Sequence, residues 1–140
     1  MKRFFLGWTH FVLVLLVLQV GLAGWGTVAE GSERTMRFIA HTANGGMLMF
    51  WLMLSVVFAL LARLGAKAVG LAALSLLMIF MQGAFAHGFG IDGTSGGVGI
   101  ALHALNGLGV LTVQLLVARL ARRAVEGERA LPTRESEVPA

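Results

Sequence analysis

The sequence contains no cysteine, and only 13% of its residues are charged. The absence of cysteine excludes disulfide bonds, thiolate metal sites, iron–sulfur clusters and the covalent attachment of a c-type haem. Hydrophobic residues make up 57% of the chain, well above the share found in ordinary soluble domains. Because 140 residues cannot hide that much apolar surface from water, the composition predicts a membrane protein.

Acidic residues are scarce as well, and Asp92 is the only aspartate. The chain has no phosphate-binding loop, nucleophile elbow or zinc motif, so we expect no catalytic site and no enzymatic activity of its own. The basic residues lie at the ends of apolar runs and form no patch with stacking aromatic residues. This distribution argues against binding to nucleic acid.

Four apolar segments each reach the roughly 20 residues that a helix needs to cross a bilayer. They cover residues 4–28, 38–62, 68–86 and 98–117, and in lipid they must be helical to satisfy their own backbone. The sequence therefore predicts an all-α membrane protein, with a four-helix transmembrane domain at residues 1–124. Residues 125–140, which hold both prolines, are predicted to be a disordered tail.

Basic residues predict the orientation of these helices, because lysine and arginine favour the cytoplasmic side. They cluster before the first segment, between the second and third, and after the fourth, as Lys2, Arg3, Arg63, Lys67, Arg119, Arg122 and Arg123. This distribution places both termini in the cytoplasm. Residues 1–29 also resemble a signal peptide, but their apolar run exceeds the usual 7–15 residues, so an uncleaved first helix is favoured.

The two halves of the membrane domain share a polar pattern. The sequence His-x-x-Asn-Gly occurs at residues 41–45 and again at residues 103–107, and Gln19 precedes Gln82 by 63 positions. The first helical hairpin therefore looks like a diverged copy of the second, in parallel orientation. An axis along the membrane normal would relate such copies and would bring His41 and His103 to one depth, about 5–8 Å below the outer boundary.

Two histidines that face each other across such an axis suit one cofactor in particular. Zinc and copper usually recruit three or four protein ligands, whereas haem iron needs only axial ligands. His41 and His103 are therefore predicted to be the axial ligands of a haem b, and two filled positions favour electron transfer over oxygen chemistry.

The neighbouring residues fit this interpretation. Gly45 and Gly107 lie one turn beyond the histidines and are expected to leave room for the ring. The four amides Gln19, Gln82, Asn44 and Asn106 are expected to form a hydrogen-bonded layer that supports the cofactor. Three residues, His87, Arg34 and Arg37, are candidates for contact with the haem propionates. His87 fits equally well as an interfacial histidine that faces water.

The motifs resemble those of one four-helix half of the haem A synthase family. The likeness rests on His41-Thr-Ala-Asn-Gly-Gly, on Leu102-His103-Ala-Leu-Asn and on Gln82-Gly-Ala-Phe-Ala, and it extends over residues 4–124. It also fits small bacterial four-helix membrane proteins of undescribed function, which implies the cytoplasmic membrane of a bacterium. Phe38 stands where the catalytic half of the family has a glutamate, and the family's outer-loop cysteines are missing. The resemblance therefore implies haem binding but not haem A synthesis.

The leading hypothesis is a b-type cytochrome that passes electrons between a membrane donor, such as a quinol, and an outer-face partner within a larger membrane complex. A second hypothesis is a cofactor-free accessory subunit, in which the repeated polar residues hold the hairpins together. A small transporter ranks third. Transporters usually place ionisable residues or broken helices near the midplane, whereas the polar groups at that depth in this sequence are uncharged amides.

Overall fold

The computed structural model describes residues 1–88 and 96–130 as four helices. They are α1 (Lys2–Thr27), α2 (Gly31–Leu61), α3 (Ala66–Gly88) and α4 (Gly96–Arg129). Each is long and apolar enough to cross a membrane, which confirms the predicted all-helical architecture of four membrane-length helices. Large apolar side chains such as Val14, Phe80 and Ile100 cover the outside, as contact with lipid requires.

The helices pack as a four-membered ring in which each contacts its two neighbours in chain order, with α4 returning to α1. Among the described residues, the backbones of α1 and α3 do not approach each other closely, nor do those of α2 and α4, so these pairs lie diagonally across the bundle. At one end of the bundle α1 begins, α2 meets α3 and α4 ends. We call it the basic end, because the seven clustered lysines and arginines lie towards it.

A tight turn at the basic end joins α2 to α3. Arg63 adopts a left-handed φ of 52°, and the amide of Leu64 donates to the carbonyl of Ala59 at 3.3 Å, a pattern that satisfies the last carbonyls of a helix. Gly65 follows with a φ of 83°, a conformation that glycine adopts without steric cost. The turn reverses the chain within four residues and makes α2 and α3 antiparallel neighbours.

Two helices, α2 and α4, extend by more than one turn beyond the apolar segments that predicted them. The polar stretch before the second segment is helical from Gly31, where Arg37 pairs with Glu33 at 3.0 Å. The tail predicted from residue 125 is helical to Arg129, where Arg122 pairs with Glu126 at 2.8 Å. Charged pairs at this spacing stabilise helices outside the lipid. The loop with Asp92 and residues 131–140 lie outside the described residues.

Two apolar clusters form the core. One surrounds Phe5 near the basic end and contains Phe5, Ala59, Ala62, Ala72, Val117 and Ala121. The other lies nearer the middle and contains Val12, Leu16, Leu48, Leu52 and Val110. Beyond these clusters, towards the opposite end of the bundle, α2 has no fully buried side chain before Leu48. In the described part of α4, the first buried hydrophobic side chain is that of Val110. The interior at that end is built from polar residues instead.

Replacement of Phe5 by alanine should destabilise the bundle far more than replacement of Phe80. Phe5 is 0% exposed, and the other buried residues of its cluster are alanines and a valine, which are too small to fill the cavity, whereas Phe80 is 64% exposed. We expect a loss of about 3 kcal/mol for Phe5→Ala and a change below about 0.5 kcal/mol for Phe80→Ala. The free energy of unfolding in mixed detergent micelles measures both, and equal losses would contradict the packing described.

Candidate functional site

His41 and His103 face each other across the bundle. They lie on the diagonal helices α2 and α4, and their ring centres are 6.0 Å apart, with the ring planes tilted by 55°. Both side chains are half-buried. The two imidazoles therefore meet in the interior of the bundle, far from the basic end, although the backbones of their helices are not close to each other.

Each histidine is held by the glutamine of its own hairpin. His41 Nδ1 lies 3.2 Å from the backbone carbonyl oxygen of Gln19, and His103 Nδ1 lies 3.2 Å from that of Gln82. Because a carbonyl oxygen only accepts, the Nδ1 atom must carry the proton and donate. The Nε2 atom of each neutral ring is then left with its lone pair.

The asparagines make a second matched contact. Asn44 Nδ2 donates to the carbonyl of Leu15 at 3.2 Å, and Asn106 Nδ2 donates to the carbonyl of Met78 at 2.7 Å. Leu15 and Met78 are separated by the same 63 positions as the two glutamines. Both hairpins are thus joined by side-chain bonds to backbone carbonyls at equivalent positions.

The two glutamine amides differ in their partners. Gln19 Nε2 donates to the His41 carbonyl at 3.0 Å and lies 3.2 Å from His41 Nε2, while its Oε1 accepts from Asn44 at 2.7 Å. Gln82 Oε1 is buried with no hydrogen-bond partner in the described part of the chain. The first hairpin therefore has a closed polar network, and the second has an acceptor that is still unsatisfied.

Gly45 and Gly107 face these amides. A Cβ atom on Gly45 would lie 3.1 Å from Gln19 Nε2, and one on Gly107 would lie 3.0 Å from Gln82 Nε2. The space beside each glycine is thus taken by a glutamine side chain. The glycines allow the amides to reach across to the histidine helices, a role that the sequence spacing alone did not distinguish from room for a ring.

Phe38 fixes one side of His41. Its ring meets the His41 ring edge-on, with centres 5.9 Å apart, and it packs over Gly26, where a Cβ atom would come within 3.0 Å of three ring carbons. In the sequence, Phe38 is distinguished only by standing where the haem A synthase motif has a glutamate. The structure gives it a positioning contact with a predicted ligand.

The predicted propionate contacts have different surroundings. Arg37 donates to the Trp25 carbonyl at 3.3 Å, pairs with Glu33 at 3.0 Å and lies over the Trp25 ring. Arg34 borders an open cavity of about 680 Å³ that Phe38 also lines. The side chain of His87 lies outside the described residues. Arg37 is thus already paired, whereas Arg34 has no salt bridge in the described part of the chain.

Within residues 1–88 and 96–130, no group of three or more histidine, cysteine, aspartate or glutamate side chains could hold a metal ion. The histidine pair supplies two nitrogen ligands only. Any metal at this position would need its remaining ligands from another molecule, such as a macrocycle.

Replacement of Asn44 by alanine should cost more stability than replacement of Asn106. Asn44→Ala removes the bonds to the Leu15 carbonyl and to Gln19 Oε1 and leaves the latter unpaired, whereas Asn106→Ala removes one bond to a carbonyl. We expect losses of about 1–2 kcal/mol and about 0.5 kcal/mol, respectively. Unfolding titrations in mixed micelles test the order, and an equal or larger loss for Asn106→Ala would contradict the network.

No protein family matches this sequence, and no curated protein and no solved structure is significantly similar to it. The functional interpretation therefore rests on the geometry of the histidine pair and on the motifs that surround it.

Proposed function

We propose that this protein is a membrane b-type cytochrome that binds one haem between His41 and His103 and transfers electrons. The observation that carries the proposal is the spacing of the two rings. An imidazole nitrogen lies about 2 Å from a bound first-row metal ion and about 1 Å from the centre of its own ring. Two imidazoles on opposite sides of one ion thus have centres about 6 Å apart, and the measured separation is 6.0 Å.

The hydrogen bonds at Nδ1 support the same assignment. Histidines that bind metals usually donate their other ring N–H to a carboxylate or a backbone carbonyl, which fixes the tautomer and the ring orientation. Both histidines do so here, to the carbonyls of Gln19 and Gln82. Their Nε2 atoms carry the lone pairs that iron would need.

The matched contacts in the two hairpins also support the proposal that the bundle arose from a duplicated hairpin. Each hairpin pairs a histidine with a glutamine carbonyl, and an asparagine with the carbonyl four residues before that glutamine. Similar contacts on diagonal helices favour a pseudo-twofold axis that passes between His41 and His103. Such an axis would present both ligands to a single iron in equivalent positions.

The basic end is proposed to face the cytoplasm, because lysine and arginine concentrate on that side of a membrane. Both termini would then be cytoplasmic, and the histidine pair would lie in the outer half of the bacterial cytoplasmic membrane. Arg34, which has no salt bridge among the described residues, is the proposed partner of a propionate. The bound haem would supply one-electron redox chemistry, and two axial imidazoles would close the iron to oxygen.

A haem in one leaflet does not by itself carry electrons across the membrane. We therefore propose a redox partner at the outer face and a donor within the membrane, such as a quinol, in a larger electron-transfer complex. The likeness of residues 41–46 and 102–106 to haem A synthase motifs supports haem binding. Haem A synthesis is not proposed, because Phe38 takes the place of the glutamate.

The cofactor-free accessory subunit remains the second candidate, and one contact favours it. Gln19 Nε2 lies 3.2 Å from His41 Nε2, so this amide can satisfy the nitrogen that iron would otherwise bind. In that role the polar residues would only join the helices. The two candidates differ in whether the purified protein contains a chromophore.

Replacement of either ligand by alanine should abolish bound haem, whereas replacement of His10 should not. His10 lies on α1, is exposed and bonds through Nδ1 to the Leu6 carbonyl at 2.8 Å, so it is a histidine of the same bundle outside the site. Oxidised and reduced absorption spectra of purified wild type, His41→Ala, His103→Ala and His10→Ala measure the haem content. We expect a loss of 10-fold or more in both ligand variants, since even supporting residues change metal affinity by about 10–100-fold.

Three outcomes would decide against the cytochrome. One is a wild-type protein that contains no haem and takes none up on reconstitution. Another is an unchanged absorption spectrum in His41→Ala or His103→Ala. A third is a loss of bound haem in His10→Ala as large as that in the two ligand variants. A folded, colourless wild type that is destabilised by His41→Ala would favour the accessory subunit.

A further inference from the structure

A layer of buried polar side chains crosses the bundle between the histidine pair and the basic end. It consists of Thr9, Ser55, Ser75 and Gln114, with one residue from each of α1, α2, α3 and α4. All four are 0% exposed. Sequence analysis did not single out any of them, because none belongs to the repeated pattern.

The layer lies between the two apolar clusters of the core. On α1, Thr9 follows Phe5 of one cluster and precedes Val12 of the other by one helical turn each. The same alternation places Ser55 between Leu52 and Ala59, and Gln114 between Val110 and Val117. The core is therefore apolar, polar and apolar again along the bundle axis.

Each of the three hydroxyl groups in this layer already donates its proton in a hydrogen bond to a backbone carbonyl of its own helix. Thr9 Oγ1 donates to the Leu6 carbonyl at 2.8 Å, Ser55 Oγ to the Trp51 carbonyl at 3.0 Å and Ser75 Oγ to the Leu71 carbonyl at 3.2 Å. Ser55 Oγ also accepts from Trp8 Nε1 at 2.9 Å. The layer thus offers mainly hydroxyl acceptors, and a ligand that bonds to them must be a donor.

Gln114 has no partner at either end of its amide. Both Nε2 and Oε1 are buried without a hydrogen bond to the described residues. An amide has two donor protons and two acceptor lone pairs, and its burial without partners is strongly unfavourable. A ligand at this position must therefore both donate and accept.

The ligand must also be neutral. All aspartate, glutamate, lysine and arginine residues lie outside the apolar segments of the four helices. At this depth, where an uncompensated charge is costly, no carboxylate can balance a cation and no lysine or arginine can balance an anion. Water fits all these requirements, since a buried water needs two to four polar partners. We propose that Gln114, Thr9 and Ser75 bind one or more water molecules inside the bundle.

Glutamine labelling can test this site, because the chain has only three glutamines: Gln19, Gln82 and Gln114. The protein is labelled with ¹⁵N in its glutamine side chains and studied by NMR in detergent micelles. Rotating-frame experiments measure the transfer of magnetisation from water to each side-chain amide. In these experiments dipolar transfer from a nearby water and chemical exchange of protons give signals of opposite sign. Single glutamine-to-leucine variants assign the three amides, and Arg129→Gln adds an exposed amide as a positive control.

We expect a dipolar cross-peak between water and the Gln114 amide and none for Gln19, whose amide is occupied by His41 and Asn44. Thr9→Val, which removes a hydroxyl acceptor but keeps the side-chain shape, should weaken the Gln114 cross-peak and leave haem content unchanged. The absence of a cross-peak at Gln114, with the control amide visible, would overturn the proposal. A shift of the Gln114 signal when sodium is exchanged for N-methylglucamine would also overturn it, in favour of a bound cation.

Discussion

A polar side chain within lipid must find its hydrogen-bond partner inside the protein, because the surroundings offer none. Around the histidine pair the partners are mostly backbone carbonyls of the adjacent helix in the same hairpin, whereas the buried serines and threonine bond to carbonyls of their own helix. Gln19 and Gln82 each provide a carbonyl that holds a histidine, and Leu15 and Met78 each provide one that holds an asparagine. These bonds fix the depth at which the two helices of each hairpin meet and, with it, the position of each imidazole.

The consequence for function comes from the geometry between the hairpins. Because His41 and His103 are each anchored through Nδ1, their rings approach each other from diagonal helices. The Nε2 atom of His41 also lies 3.2 Å from the amide nitrogen of Gln19, so a bound iron would have to displace that contact. The described interior at their depth has half-buried amides and imidazoles, whereas the rest of the described interior has fully buried apolar side chains and one fully buried polar layer. The half-buried polar groups are where we propose that the cofactor binds.

Much of this arrangement could be predicted from sequence, because membrane thickness and the cost of buried polar groups restrict the choices. The four apolar runs of sufficient length predicted four helices. The residues that recur at equal spacing predicted that His41 and His103 face each other. The repeat could not reveal Gln114, since the equivalent position in the first hairpin is Leu52. It also could not show that glutamine amides lie beside Gly45 and Gly107, because spacing identifies a shared face and not the neighbour that fills it. The helical extensions near Gly31 and Arg129 were missed because their polar composition resembles that of loops.

If the protein binds haem as proposed, the spin state of the iron tests the central claim most directly, because two imidazole ligands from diagonal helices would make it low-spin. Electron paramagnetic resonance of the purified ferric protein should show a low-spin, six-coordinate haem, and His41→Ala or His103→Ala should convert any residual haem to a high-spin form. A high-spin signal in the wild type, or a low-spin signal that persists in both variants, would contradict the account.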